Sequence, residues 1–137
     1  MKLIVCGKVG EEVQNKEECQ ILGEVSDNDL VLTYQKCDVV IVPTYLGSGL
    51  KIKLIEALSY GKPVVTTSLG ATGLTGKMRD AINIGENDEK FGKIILELLN
   101  NDSTYNNCLQ KIESALLQYN EQNMNAIKEI FSSKEAL

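Results

Sequence analysis

The sequence predicts an α/β fold: a Rossmann-like parallel sheet with helices on both faces. Three features point there. Short runs rich in Val and Ile (KLIVCG, DVVIVP, PVVTT, AINI) each read as a strand. Between and after them lie stretches with apolar residues at helical spacing, as in Phe91, Ile94, Ile95, Leu98 and Leu99. Strands that alternate with helices form β-α-β units, which build a doubly wound parallel sheet.

Taken in order, residues 2–7 (KLIVCG) form a first strand, expected to be buried. Residues 8–18 (KVGEEVQNKEE) are polar and predict a loop, and residues 20–23 (QILG) a brief second strand. Ser26, Asp27, Asn28 and Asp29 carry capping side chains, and a short helix follows through Leu30, Leu32, Tyr34 and Gln35. Residues 38–43 (DVVIVP) are the clearest strand, apolar almost throughout, as a strand buried on both faces is. A helix is expected over 49–60, with Leu50, Leu54, Ala57 and Leu58 facing inward. Gly61, Lys62 and Pro63 end it: the Gly takes a left-handed cap and the Pro cannot continue the helix. Residues 64–67 are a β-branched strand and 81–84 the last one. Three helices complete the chain, marked by the 91–99 stripe, by Leu109, Ile112 and Leu116, and by Ile127, Ile130 and Phe131, with residues 132–137 expected to fray.

The 137 residues show no repeat, linker or low-complexity segment and read as a single domain. It is a partial one, because a nucleotide-binding half normally has a β-α unit ahead of a strand like that at residue 2. Such an edge invites pairing with a second copy of the chain. The net charge of -5, with no dense Lys/Arg patch, argues against nucleic acid as a partner. No His is present, and the four Cys, at 6, 19, 37 and 108, form no CxxC pair, so no metal site is expected. Cys6 and Cys37 read as small buried residues of a reduced, cytoplasmic protein. No apolar run reaches the roughly 18 residues of a membrane span, so contact with a membrane, such as its inner face, is at most peripheral.

The informative stretch is VPTYLGSGLKIKLIEALSYGKPVVTT. Ligands of open parallel sheets bind beyond the carboxyl ends of the strands. There Gly47 and Gly49 let the backbone approach a ligand, Ser48 offers a hydroxyl, and the helix that follows presents free N–H groups with a partial positive charge. Lys51 and Lys53 add two full charges. Glu56 lies three residues after Lys53 and seven after Gly49, on one expected helical face. A carboxylate beside an anion site makes sense if it accepts hydrogen bonds from a ribose diol. The same spacing also fits an ordinary solvated Lys53–Glu56 pair and two turn glycines, and spacing alone leaves both readings open. A second small-residue loop, SLGATGL at 68–74, follows the next strand and is expected to face the same crevice.

These residues resemble the signature of family 4 glycosyltransferases of the GT-B fold, within their C-terminal, nucleotide-sugar-binding domain. The likeness rests on Pro43, Gly47, Ser48, Gly49, Lys51, Lys53, the run Glu56, Ala57, Leu58, the GKPVV at 61–65 and the GATGL at 70–74. It extends upstream through LGEVSDNDLVLTYQKCDVVIVP and downstream through the helix at 88–100, nearly the whole chain. The resemblance implies transfer of a sugar from a nucleotide-diphosphate donor, of UDP or GDP type, to the hydroxyl of a glycan or lipid-linked acceptor, as in polysaccharide assembly. Such enzymes typically work with retention and without a tightly bound metal, and the donor is a substrate, so no cofactor is implied. The backbone of Gly47, Ser48, Gly49 and Leu50, with Lys51 and Lys53, would hold the diphosphate. Glu56 would bind the ribose, Val25 and Ser26 would lie along the base, and Gly70 and Ala71 would line the back of the crevice.

Two departures matter. Eight positions before the ribose-binding Glu the family often carries an acid that contacts the sugar; here it is Ser48, which leaves the sugar and the stereochemical outcome open. The acceptor-binding N-terminal domain of GT-B enzymes and the first β-α unit of their C-terminal domain are not recognised in the sequence, which implies little or no transfer by this chain alone. A non-catalytic sugar-nucleotide-binding or assembly module, acting with a partner chain, is the alternative. A receiver-type signalling domain would need acids at its strand ends, where Cys6, Gly7 and Lys8 stand, and a dinucleotide oxidoreductase would need a GxGxxG that is absent.

Overall fold

The computed structural model describes residues 1–13, 17 and 19–135, without the side chains of 9, 127 and 130–135. The chain divides into two compact units, residues 1–36 and 37–137.

In the first unit, β1 (Leu3–Cys6) and β2 (Cys19–Gly23) pair in parallel, Leu3 opposite Cys19. A 3-10 turn, Lys8–Glu12, occupies the start of the expected loop; positions 14–16 and 18 of that loop lie outside the described residues. Gly10 sits where a Cβ would come within 2.6 Å of Ile21 Cγ2, so only Gly lets the turn lie this close to β2. The capping expectation holds: Ser26 Oγ accepts from the Asp29 amide and donates to the Asp29 carboxylate, opening α1 (Asp27–Lys36). β1 is not the buried strand expected. Leu3 and Ile4 are exposed at 40% and 36%, because a two-stranded sheet in a unit this small has too little chain to cover its faces. Cys6 and Cys37 are likewise half-exposed rather than buried, and the buried thiol is that of Cys108.

In the second unit, β3 (Val40–Val42), β4 (Val64–Thr66) and β5 (Ile82–Ile84) form a parallel sheet in that order. β4 is central and fully buried, whereas the residues of β3 are only half-buried. The apolar composition of β3 had suggested cover on both faces, but position in the sheet decides burial and β3 stands at its edge. α2 (Ile52–Ser59) packs on β3 and β4, and α4 (Asp88–Asn100) packs on β4. α2 buries Leu54, Ala57 and Leu58 completely. It ends in a two-bond Schellman closure: the Lys62 amide donates to Ala57 O at 3.2 Å and the Gly61 amide to Leu58 O at 2.8 Å, with Gly61 at φ +67. α4 is capped by Asn87, whose side chain accepts from the Lys90 amide, and buries Phe91 and Leu98 while Leu99 stays exposed.

A five-residue helix, α3 (Gly76–Asp80), precedes β5 and was not anticipated. The two helices expected after α4 are one, α5 (Asp102–Glu135), which packs through Cys108, Ile112 and Ala115 and contacts α2, α3 and α4. Residues 132–135 are helical rather than frayed; 136 and 137, and the side chains of Ile127, Ile130 and Phe131, lie outside the description. No helix among the described residues is long and apolar enough to cross a membrane.

Candidate functional site

β3 and β4 run in parallel with Val42 opposite Thr66, so the loops that follow them leave the same edge of the sheet. The first loop spans 43–51 and the second 67–75. Gly47 and Gly49 have φ of +95 and +84, a conformation that other residues rarely adopt. These two residues hold the chain out of helical geometry until Lys51, which stands extended at the N-cap. The helix therefore begins at Ile52, three residues later than its spacing suggested. Gly49 does not share a helical face with Lys53 and Glu56, and Leu50 is a loop residue, 47% exposed, rather than part of the core.

The first loop gathers positive charge in one place. The Lys51 ammonium folds back over the turn and donates to the Ser48 carbonyl at 3.4 Å, close enough to Gly47 that a Cβ there would lie 3.3 Å from Nζ. Lys51 has no side-chain acceptor to offer the first turn of α2, and no side-chain cap is formed there. Lys53, the second residue of the helix, is exposed; Lys51 and Glu56 are half-exposed. Around them Tyr45, Leu46 and Ile52 are exposed at 62%, 87% and 76%. The Tyr45 hydroxyl donates to Asp88 Oδ1 at 3.0 Å, fastening the start of this loop to the first turn of α4. That hydrogen bond, more than burial or charge, raises the Tyr45 pKa above the ordinary phenol value.

The second loop is laced to the first by hydroxyls. Thr66 Oγ1 donates to Val42 O at 2.7 Å, Thr67 Oγ1 donates to Thr44 O, and the Gly70 amide donates to Thr67 Oγ1 at 3.1 Å. A side chain at Gly70 would overlap Thr66 Oγ1 and come within 3.3 Å of Thr44 Oγ1. Gly73, at φ +88, lies against the Leu50 backbone, so the two glycine loops touch. Gly70 and Ala71 are buried, and Ala71 O accepts from Arg79 Nη1 at 3.0 Å. Thr44, Thr66, Thr67 and Arg79 are the residues the sequence did not flag. A β-branched strand end explains two threonines without further role, and only the parallel register shows that their hydroxyls reach across to the neighbouring loop.

The structure thus brings Gly47, Ser48, Gly49, Leu50 and Lys51 together with the second loop, and sets Lys53 and Glu56 on the first turns of α2. Val25 and Ser26 belong to the first unit, between β2 and α1, where the Ser26 hydroxyl is occupied in capping. Two shallow concavities are lined by residues of α5 and Gly61, and neither includes a residue of the two loops.

Against this geometry, residues 1–101 match the family model described as Glycosyl transferases group 1. The chain belongs to that family. The match covers both units as far as the end of α4, short of the near-complete coverage the resemblance suggested, and leaves α5 outside. No curated protein matches the chain. Within this glycosyltransferase chain, the candidate site is the pair of glycine loops at the ends of β3 and β4.

Proposed function

We propose that this glycosyltransferase chain binds the nucleotide-diphosphate part of a sugar donor at the first loop. The diphosphate sits on the amides of residues 47–50 and the uncapped start of α2, with Lys51 and Lys53 neutralising its charge. Glu56, one turn further along α2, accepts hydrogen bonds from the ribose hydroxyls. Gly70 and Ala71 form the floor from beneath. In transfer, negative charge grows on the leaving diphosphate, and fixed amides and ammonium groups favour that state over the intact donor.

The observation that carries this reading is the Lys51 ammonium drawn over a turn of two positive-φ glycines at the end of a parallel strand. The exposed Leu46 and Ile52 beside it support a site completed by a further polypeptide surface, one that would contribute the acceptor subsite. On that reading the chain alone transfers little sugar to a glycan or lipid-linked acceptor. It works at the cytoplasmic side of a polysaccharide or glycoconjugate assembly, whether or not a second copy pairs at the β1 edge.

The test is calorimetric titration with UDP, GDP and ADP. One of the three should bind; Lys51→Ala should weaken it about tenfold or more, the scale of a lost charge-assisted contact. Glu56→Ala should weaken a nucleoside diphosphate but leave inorganic pyrophosphate unaffected. Equal binding by wild type and both variants would falsify the assignment.

A further inference from the structure

α5 changes character along its length. Up to Leu116 it faces the body, with Cys108, Ile112 and Ala115 at 6%, 2% and 1% exposure. Beyond it, every described side chain at 119–126, 128 and 129 is exposed, on all sides of the helix. A bare helical segment of this length has marginal stability in water. It is not uniformly polar. Leu117 and Met124 are 60% and 53% exposed, and with Asn120 they follow a 3-4 spacing that the sequence continues at Ile127 and Phe131. At about 100° per residue, Leu117 and Met124 lie about 120–140° round the helix from Ile112, so this stripe does not compete with packing on the body. A shallow groove follows it, lined by Leu117, Asn120, Glu121, Met124, Asn125 and Lys128.

We propose that this stripe is a homodimer interface in which α5 pairs with α5 of a second copy, antiparallel. The flanking charges choose both the occupant and the direction. With Leu117 and Met124 at heptad position a and Asn120 at d, Glu121 and Lys128 both fall at e. A parallel pair sets e against g of the other helix, where the sequence has Leu116, Asn123 and Ile130, and leaves both charges unanswered. An antiparallel pair sets e against e, so Glu121 meets the partner's Lys128 and Lys128 meets the partner's Glu121. The segment is complementary to itself, as an isologous interface requires.

Sedimentation equilibrium of the whole chain, under reducing conditions and over a concentration series, tests this. The expected result is a monomer–dimer equilibrium that Met124→Asp abolishes. Lys128→Glu weakens it about tenfold by turning two attractions into two repulsions, and the swap Glu121→Lys with Lys128→Glu restores it. All three positions are exposed, so each variant should keep the parent's folded body, with at most the helical signal of the end of α5 falling where the dimer is lost. A chain that stays monomeric at its highest soluble concentration overturns the proposal and leaves the stripe to some other polypeptide. A dimer indifferent to Met124→Asp places the interface elsewhere, the β1 edge included, and also overturns it. A swap that fails to restore association rules out the antiparallel pairing.

Discussion

At Gly70 the absence of a single methyl group decides how the two loops meet. Its amide is held by Thr67, and the space its Cβ would take is filled by the hydroxyl of Thr66. Gly70→Ala should therefore lower stability by about 1–3 kcal/mol through overpacking, read as a shift in the urea midpoint. It should also weaken nucleotide binding more than the loss of stability explains. Tyr45 offers a pH-dependent test of the same region. Its hydrogen bond to Asp88 needs the phenol protonated and raises the folded pKa above the unfolded one. The contribution is then fully present below the unfolded value and is lost as pH rises through the folded value. Burial raises the Tyr105 phenol as well, so an ultraviolet titration should show late phenolate steps whose amplitude Tyr45→Phe reduces; a variant that instead loses amplitude in the ordinary phenol range means the bond to Asp88 is not made in solution. Neither Thr66 nor Arg79 was legible in the sequence, because their hydrogen bonds reach partners 24 and 8 residues away, whereas the turn glycines of the first loop could be flagged from the sequence, though spacing alone left their purpose open.

Among the elements, ends written in local chemistry were read correctly and ends set by context were not. The stop of α2 is spelled out by Gly61, Lys62 and Pro63, and the hydrogen bonds that form there are the ones such residues favour. Gly61→Ala meets no steric neighbour, since nothing lies within 4 Å of the added carbon. Its expected cost, about 1 kcal/mol, is the strain of φ +67 alone. A variant as stable as the parent in thermal melting would mean that the closure relaxes. The start of α2 was misplaced because helical periodicity ran back through Leu50 to two glycines whose backbone forbids it. α3 escaped notice because five residues are too few to show a period. The break expected inside α5 fell on the polar stretch QYNEQNMN, which lacks an inward stripe and carries three Asn of low helix propensity, yet is helical throughout.

For the molecule as a whole, the division into two units sets an order of stability. The larger unit has a central strand with no exposed residue and helices packed on it; the smaller has two strands with one neighbour each and a helix, α1, with no buried residue. Amide exchange should be slowest in β4 and faster by orders of magnitude in β1, because local opening follows buried contact. Comparable protection in the two strands would show that residues 1–36 gain cover the described contacts do not account for. The α/β class and the glycosyltransferase family signature were plain from sequence, since both depend on patterns within about 25 residues of one another. The separation into two sheets was not, because it depends on which strands find each other.

Cys108 carries one further consequence. Its sulfur accepts from Asn83 Nδ2 at 3.4 Å while the same amide group donates to Val64 O, so a thiol on α5 is tied to the middle of the sheet. It is also the one buried cysteine of the four. A thiol-reactive dye should reach it only when α5 lifts from the body, so slow labelling of Cys108 is expected to serve as a native clock for that detachment, already wired into the chain without any engineered probe.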